Sequence, residues 1–218
     1  MIISPENLLI CSTVGEVFAI NKTDGTQVWN ARLSGVGYGV GALFVSGSKV
    51  YVGMNGNLVA LNLADGAEVW RNPLSGMRYS EVSVLVANTS SSKGSIVLIA
   101  SFGKLCGIGS ELGETLWKNE LKGGCYYLPC LMLDSSDPDV VLVGCGKRIY
   151  KINLLDGQTI WNQKISSNIF GPPYVTMATH QSSLQAAFTH TGFNNNPVAQ
   201  HARRMKNEKD SRDHGHIS

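Results

Sequence analysis

Val17-Phe18-Ala19-Ile20-Asn21-Lys22-Thr23-Asp24-Gly25-Thr26-Gln27-Val28-Trp29 is matched position for position by Leu58-Val59-Ala60-Leu61-Asn62-Leu63-Ala64-Asp65-Gly66-Ala67-Glu68-Val69-Trp70. Ile149-Tyr150-Lys151-Ile152-Asn153-Leu154-Leu155-Asp156-Gly157-Gln158-Thr159-Ile160-Trp161 keeps the pattern. A weaker copy ends at Trp117, with Gly109 in place of the Asn and Leu112 in place of the Asp, but it retains Gly113. The four tryptophans therefore mark an internal repeat, at spacings of 41, 47 and 44 residues. Within each copy an apolar run leads into Asn/Asp and a Gly, then into a second run ending in Trp. Asn and Asp side chains brace a turn and Gly takes the positive φ that returns the chain, so each copy reads as a β-hairpin.

Working outward, a β-branched run precedes each hairpin: Leu8-Leu9-Ile10, Lys49-Val50-Tyr51-Val52, Ile96-Val97-Leu98-Ile99 and Val140-Val141-Leu142-Val143. A further strand precedes three of these, at Ala42-Leu43-Phe44-Val45, Val82-Ser83-Val84-Leu85 and Cys130-Leu131-Met132-Leu133, and a last one is expected at Pro173-Tyr174-Val175-Thr176. The unit is four strands in about 44 residues, which fits a propeller blade and exceeds the roughly 20 to 30 residues of a solenoid coil. Four short strands cannot bury both faces alone, and radial stacking buries each face on its neighbour. The sequence thus predicts an all-β partial propeller of about four four-stranded blades over residues 1–178. Its strands begin at the second of one blade and end after the first of another, so the chain is either an arc of a larger ring or a small ring closed by its last strand. The repeated Trp is expected between adjacent blades, in a structural role.

The remaining composition excludes more than it assigns. The chain has 218 residues, a net charge of +2 and 16% charged residues, which is not the profile of a polyanion binder and weighs against nucleic acid as a partner. No apolar run reaches the roughly 18 residues of a membrane span, and Met1-Ile2-Ile3-Ser4-Pro5-Glu6 lacks a signal peptide's basic flank and apolar run, so a cytoplasmic location is expected. Five cysteines, Cys11, Cys106, Cys125, Cys130 and Cys145, form no C-x-x-C pair and read as small core residues, not as a disulfide framework or a zinc site. From His180 on, apolar periodicity is lost, and residues 179–218 read as a disordered polar tail. All five histidines lie in or beside it; His214 and His216 are a flexible pair without the fixed geometry a metal needs, and Arg203, Arg204 and Lys206 are interleaved with Glu208, Asp210 and Asp213.

The pattern of apolar-x-Ala-Leu-Asn-x-x-Asp-Gly-x-x-x-Trp closely resembles the pyrroloquinoline-quinone-like repeat at residues 17–29, 58–70 and 149–161, more weakly at 105–117. It differs from the WD40 pattern, because each Trp is followed by Asn30, Arg71, Lys118 or Asn162 and never by Asp. The resemblance covers residues 8–178 and implies seven or eight blades in full-length members, about twice what is present here. It embraces quinoprotein alcohol and glucose dehydrogenases, a bacterial outer-membrane assembly scaffold, and propellers fused to adenylate-forming enzymes and sensor kinases, so fold alone does not decide activity. The dehydrogenases imply a Ca²⁺ carboxylate site, a catalytic Asp and, in the alcohol enzymes, two adjacent cysteines, a pair that this sequence lacks. Asp24, Asp65 and Asp156 match the family's turn position. The expectation is accordingly a non-catalytic scaffold or regulatory module with no catalytic, cofactor or metal residue and no cofactor, binding a protein or a second copy of itself through exposed blade edges. The alternatives are a dehydrogenase fragment or remnant, and the propeller part of an adenylate-forming enzyme.

Overall fold

The computed structural model describes residues 3–36, 41–77, 82–90, 94–123, 128–165 and 175–179. After a short 3₁₀ turn at Pro5–Asn7, the first sheet comprises β1 (Leu8–Thr13), β2 (Glu16–Asn21) and β3 (Gln27–Arg32). The second holds β4 (Ala42–Ser46), β5 (Lys49–Met54), β6 (Asn57–Asn62) and β7 (Glu68–Pro73). The third holds β8 (Ser83–Asn88), β9 (Ser95–Ser101), β10 (Lys104–Gly109) and β11 (Thr115–Glu120). The fourth holds β12 (Cys130–Leu133), β13 (Val140–Cys145), β14 (Arg148–Asn153) and β15 (Thr159–Lys164). Every pairing is antiparallel and sequential, and the registers repeat: Leu8 faces Asn21, Lys49 faces Asn62, Ile96 faces Gly109 and Val140 faces Asn153. These are the blades of a partial propeller.

Each hairpin carries a register shift at the same place, just after Ala19, Ala60, Gly107 or Lys151, the residue paired with the blade's Trp. A bulge adds twist to the strand that holds it, and here it sits in the outermost pair of every blade. The strictly alternating side chains send successive residues to opposite faces, so each middle blade serves two cores. Val50, Val52, Val59 and Leu61 of the second sheet join Val17, Ala19 and Trp29 of the first, while Tyr51, Leu58 and Ala60 join Val97, Ile99, Cys106 and Ile108 of the third. Leu98, Leu105 and Trp117 of the third sheet complete the series against Val141, Val143, Tyr150 and Ile152 of the fourth. The three cores are the three blade-to-blade contacts, and burial of this apolar area at roughly 25 cal/mol per Å² is what holds the stack.

The expected strand at 173–176 is corrected: Val175 and Thr176 carry no strand, and Pro173 and Tyr174 lie outside the described residues. The repeat register nonetheless persists to Val175. Its carbonyl accepts from the Cys130 thiol at 3.1 Å, as the Pro129 carbonyl accepts from Ser83 Oγ one blade earlier at 2.6 Å. No described strand pairs with the free side of β1, and the first sheet has three strands. The division into compact units falls between Met1–Val175 and Thr176–Ser218; of the second unit only residues 176–179 are described, so the reading of a disordered tail, its histidines included, lies outside the described residues.

Among the described residues two that are not glycine occupy the left-handed region, Asn55 at φ +46° and Phe102 at φ +47°. Each stands at the first position of a tight hairpin, followed by Gly56 or Gly103. Asn-Gly is the preferred pair for such a turn, whereas a bulky residue there is strained by about 1–2 kcal/mol. Phe102 is half exposed, so little burial offsets the strain. Phe102→Asn is therefore expected to raise stability by about 1 kcal/mol in urea unfolding; an unchanged or lowered midpoint would show that the ring is held by contacts worth more than the strain.

Candidate binding surface

The surface is built from the turn that closes each hairpin. Asn21, Asn62 and Asn153 Oδ1 accept from the backbone N–H two residues on, at 3.0, 2.9 and 2.7 Å. Asp24, Asp65 and Asp156 Oδ1 do the same across the glycine, from Thr26, Ala67 and Gln158, at 3.0, 2.9 and 2.9 Å. The hydroxyl of Thr26 adds a 2.7 Å bond to Asp24, and these bonds hold that carboxyl below its usual range. The family-position aspartates are thus turn braces, as read from the sequence. In the third repeat the backbone makes the same turn, Gly113 N–H donating to Gly109 O at 3.0 Å, although Asn and Asp are missing. A Cβ at Gly109 would lie 2.6 Å from the Glu114 carboxylate, so Glu114 fills the space of the Asn side chain.

What these turns present is a glycine with its backbone bare. The ring of Trp29 lies on Gly66 of the next blade, that of Trp70 on Gly113 and that of Trp117 on Gly157: a Cβ at those glycines would fall 2.6, 2.5 and 2.4 Å from the indole. Each indole N–H then donates to the carbonyl three residues before the glycine, Leu63, Ser110 or Leu154, at 2.9, 3.1 and 2.7 Å. The glycine is required twice over, by its φ of +72° to +75° and by the ring on its face. Asn72 and Asn119, two residues after Trp70 and Trp117, tighten two of the contacts by donating to Gly113 O at 2.7 Å and Gly157 O at 2.6 Å. Sequence reasoning placed the tryptophans between blades but missed the glycine as their seat and the asparagines as clamps. The recurring Trp-x-Asn of two copies was the available signal.

Among the described residues both ends of the series lack a mate. Trp29 and Trp117 are each 8% exposed, whereas Trp161 is 44% exposed and its N–H has no partner among the described residues. The expectation that every repeat Trp is buried between blades is thus corrected for Trp161, because no described blade follows it. At the other end, nothing lies within 4 Å of the place where a Cβ on Gly25 would stand. On the same face Leu9 is 53% exposed and Cys11 is exposed, although their counterparts Val50, Val52, Val141 and Val143 are completely buried. Sheet geometry alone would bury them. Cys11 therefore departs from the core role read from the sequence, while Cys106 and Cys145 keep it, Cys130 is partly buried and Cys125 lies outside the described residues.

No group of three or more His, Cys, Asp or Glu side chains comes together among the described residues. The charged groups that do meet are one pair between the second and third blades, Lys49 with Glu111 at 2.7 Å, and pairs within a blade, Arg71 with Glu68 at 2.7 Å and Lys151 between Asp134 and Asp137 at 3.7 and 3.8 Å. Lys49 holds the Glu111 carboxyl below its usual range and Arg71 does so for Glu68. Asp139 is likewise lowered, by the hydroxyl and the N–H of Ser90. Among the described residues no helix is long and apolar enough to cross a membrane.

Repeating four-stranded blades joined by Trp-on-Gly contacts define a pyrroloquinoline-quinone-like repeat propeller. A family model described as outer membrane protein assembly factor BamB matches residues 13–170, and the chain belongs to that family. No curated protein sequence gives a significant match. Among solved structures, BamB from Moraxella catarrhalis is similar with 19% identity and a TM-score of 0.52, over 75% of this chain and 49% of that one. The computationally designed Ika8 protein is similar with 18% identity and a TM-score of 0.56, over 72% and 46%. The quinohemoprotein alcohol dehydrogenase ADHIIG from Pseudomonas putida HK5 is similar with 16% identity and a TM-score of 0.59, over 72% and 32%. At such identities the likeness is one of fold, and the chain spans less than half the length of each of these structures.

Two expectations follow. Trp29→Ala and Trp117→Ala should each lose about 3–5 kcal/mol in denaturant unfolding, and Trp161→Ala, in dilute solution, about 1 kcal/mol or less; Gly157→Ala should cost more than Gly25→Ala, which meets only the left-handed penalty of about 1–2 kcal/mol. Equal losses for Trp117 and Trp161, or for the two glycines, would contradict the seating. Separately, burial pushes the thiols of Cys106 and Cys130 up to about 11, against about 8.5 in an unfolded chain. The folded state thus keeps protons that the unfolded state sheds, and the associated stability is whole below about pH 8.5 and lost as pH rises toward 11. Cys106→Ala should make the fall in stability from pH 8.5 to 10.5 shallower by on the order of 2 kcal/mol; an unaltered slope in urea melts would contradict this.

Proposed function

We propose that the chain is a non-catalytic propeller module that acts as a protein-binding scaffold or regulatory element through the open faces of its first and last blades. The observation that carries this reading is the pair of apolar blade faces left uncovered, Leu9 and Cys11 at one end and Trp161 at the other, on a framework whose other blade faces are buried in cores. Exposed apolar surface rimmed by polar residues is the usual mark of a protein contact. The matching family model is named for an assembly factor, BamB, and one of the similar solved structures is a dehydrogenase, so the fold hosts both. The side chains of this chain favour the former: its repeat aspartates are consumed in turn bonds, as Asp24 is by Thr26, and its thiols at 106 and 145 are packed in cores. The cytoplasmic location read from the sequence belongs to this proposal, and fractionation of the tagged chain tests it.

Two measurements bear on the reading. Calorimetric titration with pyrroloquinoline quinone and Ca²⁺, followed by dye reduction in the presence of an alcohol or a sugar, is expected to show neither binding nor turnover, because a quinone site needs side chains from several blades converging on one cofactor. Micromolar binding with turnover would overthrow the scaffold in favour of the dehydrogenase reading. Quantitative comparison of proteins recovered on wild type, Leu9→Asp and Trp161→Asp is expected to show partners lost from the variants, and an identical set on all three would contradict binding through these faces.

A further inference from the structure

The hairpin that joins β9 to β10 carries a side chain for which the fold has no use. Phe102 stands in the left-handed region at φ +47°, in the turn position where the second blade has Asn55 at φ +46°, and each is followed by a glycine. A bulky ring in that conformation costs stability. Phe102 is 45% exposed and belongs to none of the three cores, so burial does little to offset the cost. The strands on either side are paired up to the turn, Ser101 facing Lys104 and Ala100 facing Leu105, so the ring is offered from a fixed backbone. Strain kept beneath an exposed side chain points to a use for that side chain in binding.

The surroundings of Phe102 are basic, and the repeat does not require them to be. The strands β2, β6, β10 and β14 begin, at the end of the sheets that holds this turn, with Glu16, Asn57, Lys104 and Arg148. The linker glycine of the preceding blade is kept throughout, but only the third and fourth blades set a cation on it. A Cβ on Gly76 would lie 3.2 Å from Lys104 Nζ and one on Gly123 2.7 Å from Arg148 Nε, whereas one on Gly35 would meet nothing within 4 Å. Lys104 Nζ donates to Gly76 O at 3.3 Å and Lys118 Nζ to Ser75 O at 3.4 Å. Among the described residues no carboxylate forms an ion pair with Lys104, Lys118, Lys122 or Arg148. These charges are positioned without being neutralised. Glu120 is the one described carboxylate at this end of the two blades, while Glu111, Glu114, Asp134, Asp137, Asp139 and Asp156 stand at the other. The third and fourth blades are thus polarised along their strands, with Phe102 at the positive end.

We propose that Phe102 with Lys104, Lys118, Lys122 and Arg148 forms a docking surface for an acidic polypeptide segment. An apolar side chain of the segment packs on the Phe102 ring, and carboxylates on either side of it meet the cations. Charge complementarity orients such a segment and the aromatic anchor supplies most of its affinity. A single-stranded nucleic acid is held instead by stacking successive bases on several aromatic rings, and Phe102 is the one exposed aromatic ring described at this end. The surface lies apart from the faces of the first and last blades and does not rest on the reading of those faces.

Fluorescence anisotropy of the full chain with a dye-labelled peptide, Glu-Asp-Glu-Leu-Trp-Glu-Asp-Glu, tests this. The comparators are the same peptide with Ala-Ala for Leu-Trp and a labelled oligothymidylate of similar length. The first peptide is expected to bind in the micromolar range, more weakly as salt is raised, and each comparator on the order of 10-fold less tightly. Phe102→Asn, the variant expected to gain stability, should weaken the first peptide on the order of 10-fold, as for a side chain retained for binding against the interest of folding. Lys104→Ser and Lys118→Ser should each weaken it about 3-fold or more and flatten its salt dependence. Lys22→Ser, which removes the same charge at the opposite end of the first blade, should leave it within about twofold. Absence of binding to wild type, tighter binding of the oligonucleotide, equal binding of the Ala-Ala peptide, or an affinity indifferent to Phe102→Asn overturns the proposal. Binding that survives Phe102→Asn but is lost on Trp161→Asp assigns the peptide to the last blade's face, so that this surface fails while the scaffold reading stands.

Discussion

The indole ring lying on a bare glycine backbone is the contact on which the rest of this molecule depends. A blade of four short strands has two apolar faces and no means of covering either, and the apolar effect alone specifies neither the angle nor the register at which the next blade arrives. The ring supplies a flat surface that fits one place on the neighbour, and its N–H must find one carbonyl or remain unsatisfied in a partly dry interface. Leu63, Ser110 and Leu154 provide that carbonyl at the three internal joints. Position in the stack is thus set by a directional bond at the rim, and bulk stability by Val and Ile side chains nearer the middle strands.

The turn has to satisfy both duties, and this explains its composition. Asn and Asp brace it through their own backbone neighbours, leaving the glycine face and the preceding carbonyl free for the incoming Trp. The third repeat shows which parts are replaceable. Losing the Asn and Asp at positions 109 and 112 leaves the backbone turn intact, with Glu114 occupying the vacated space, whereas Gly113 is retained beneath Trp70. A brace can be exchanged. The glycine cannot, because any Cβ would overlap the ring.

Much of this was legible in the sequence for the same reason. A period marked by Trp, Gly and β-branched runs fixed the number, order and approximate ends of the strands, from Leu8 to Trp161, since the physics of turn and pleat is local. What was not legible is what depends on neighbours. Trp161 sits in a copy as regular as the others, yet it is exposed, because burial depends on a neighbouring blade and no described blade follows it. Cys11 lies in an apolar run and is exposed for the corresponding reason at the first blade. The strand expected at Pro173–Thr176 failed where Val175 holds the repeat position without a strand. Phe102 could not be seen as strained, because its positive φ comes from the tight two-residue turn between β9 and β10 and not from any preference of its own. Lys151 was in plain view opposite the last Trp, in a column otherwise occupied by Ala and Gly.

The account stands on three indole N–H groups that are bonded to the next blade and one, that of Trp161, without a partner among the described residues. Hydrogen exchange of the four indole N–H signals, followed by NMR in solution dilute enough for a single chain and assigned by Trp→Phe substitutions, reads this directly. Signals from Trp29, Trp70 and Trp117 should be protected, and that of Trp161 should exchange at the rate of a free indole. Protection of Trp161 at dilution, or loss of protection at any of the other three, would contradict it.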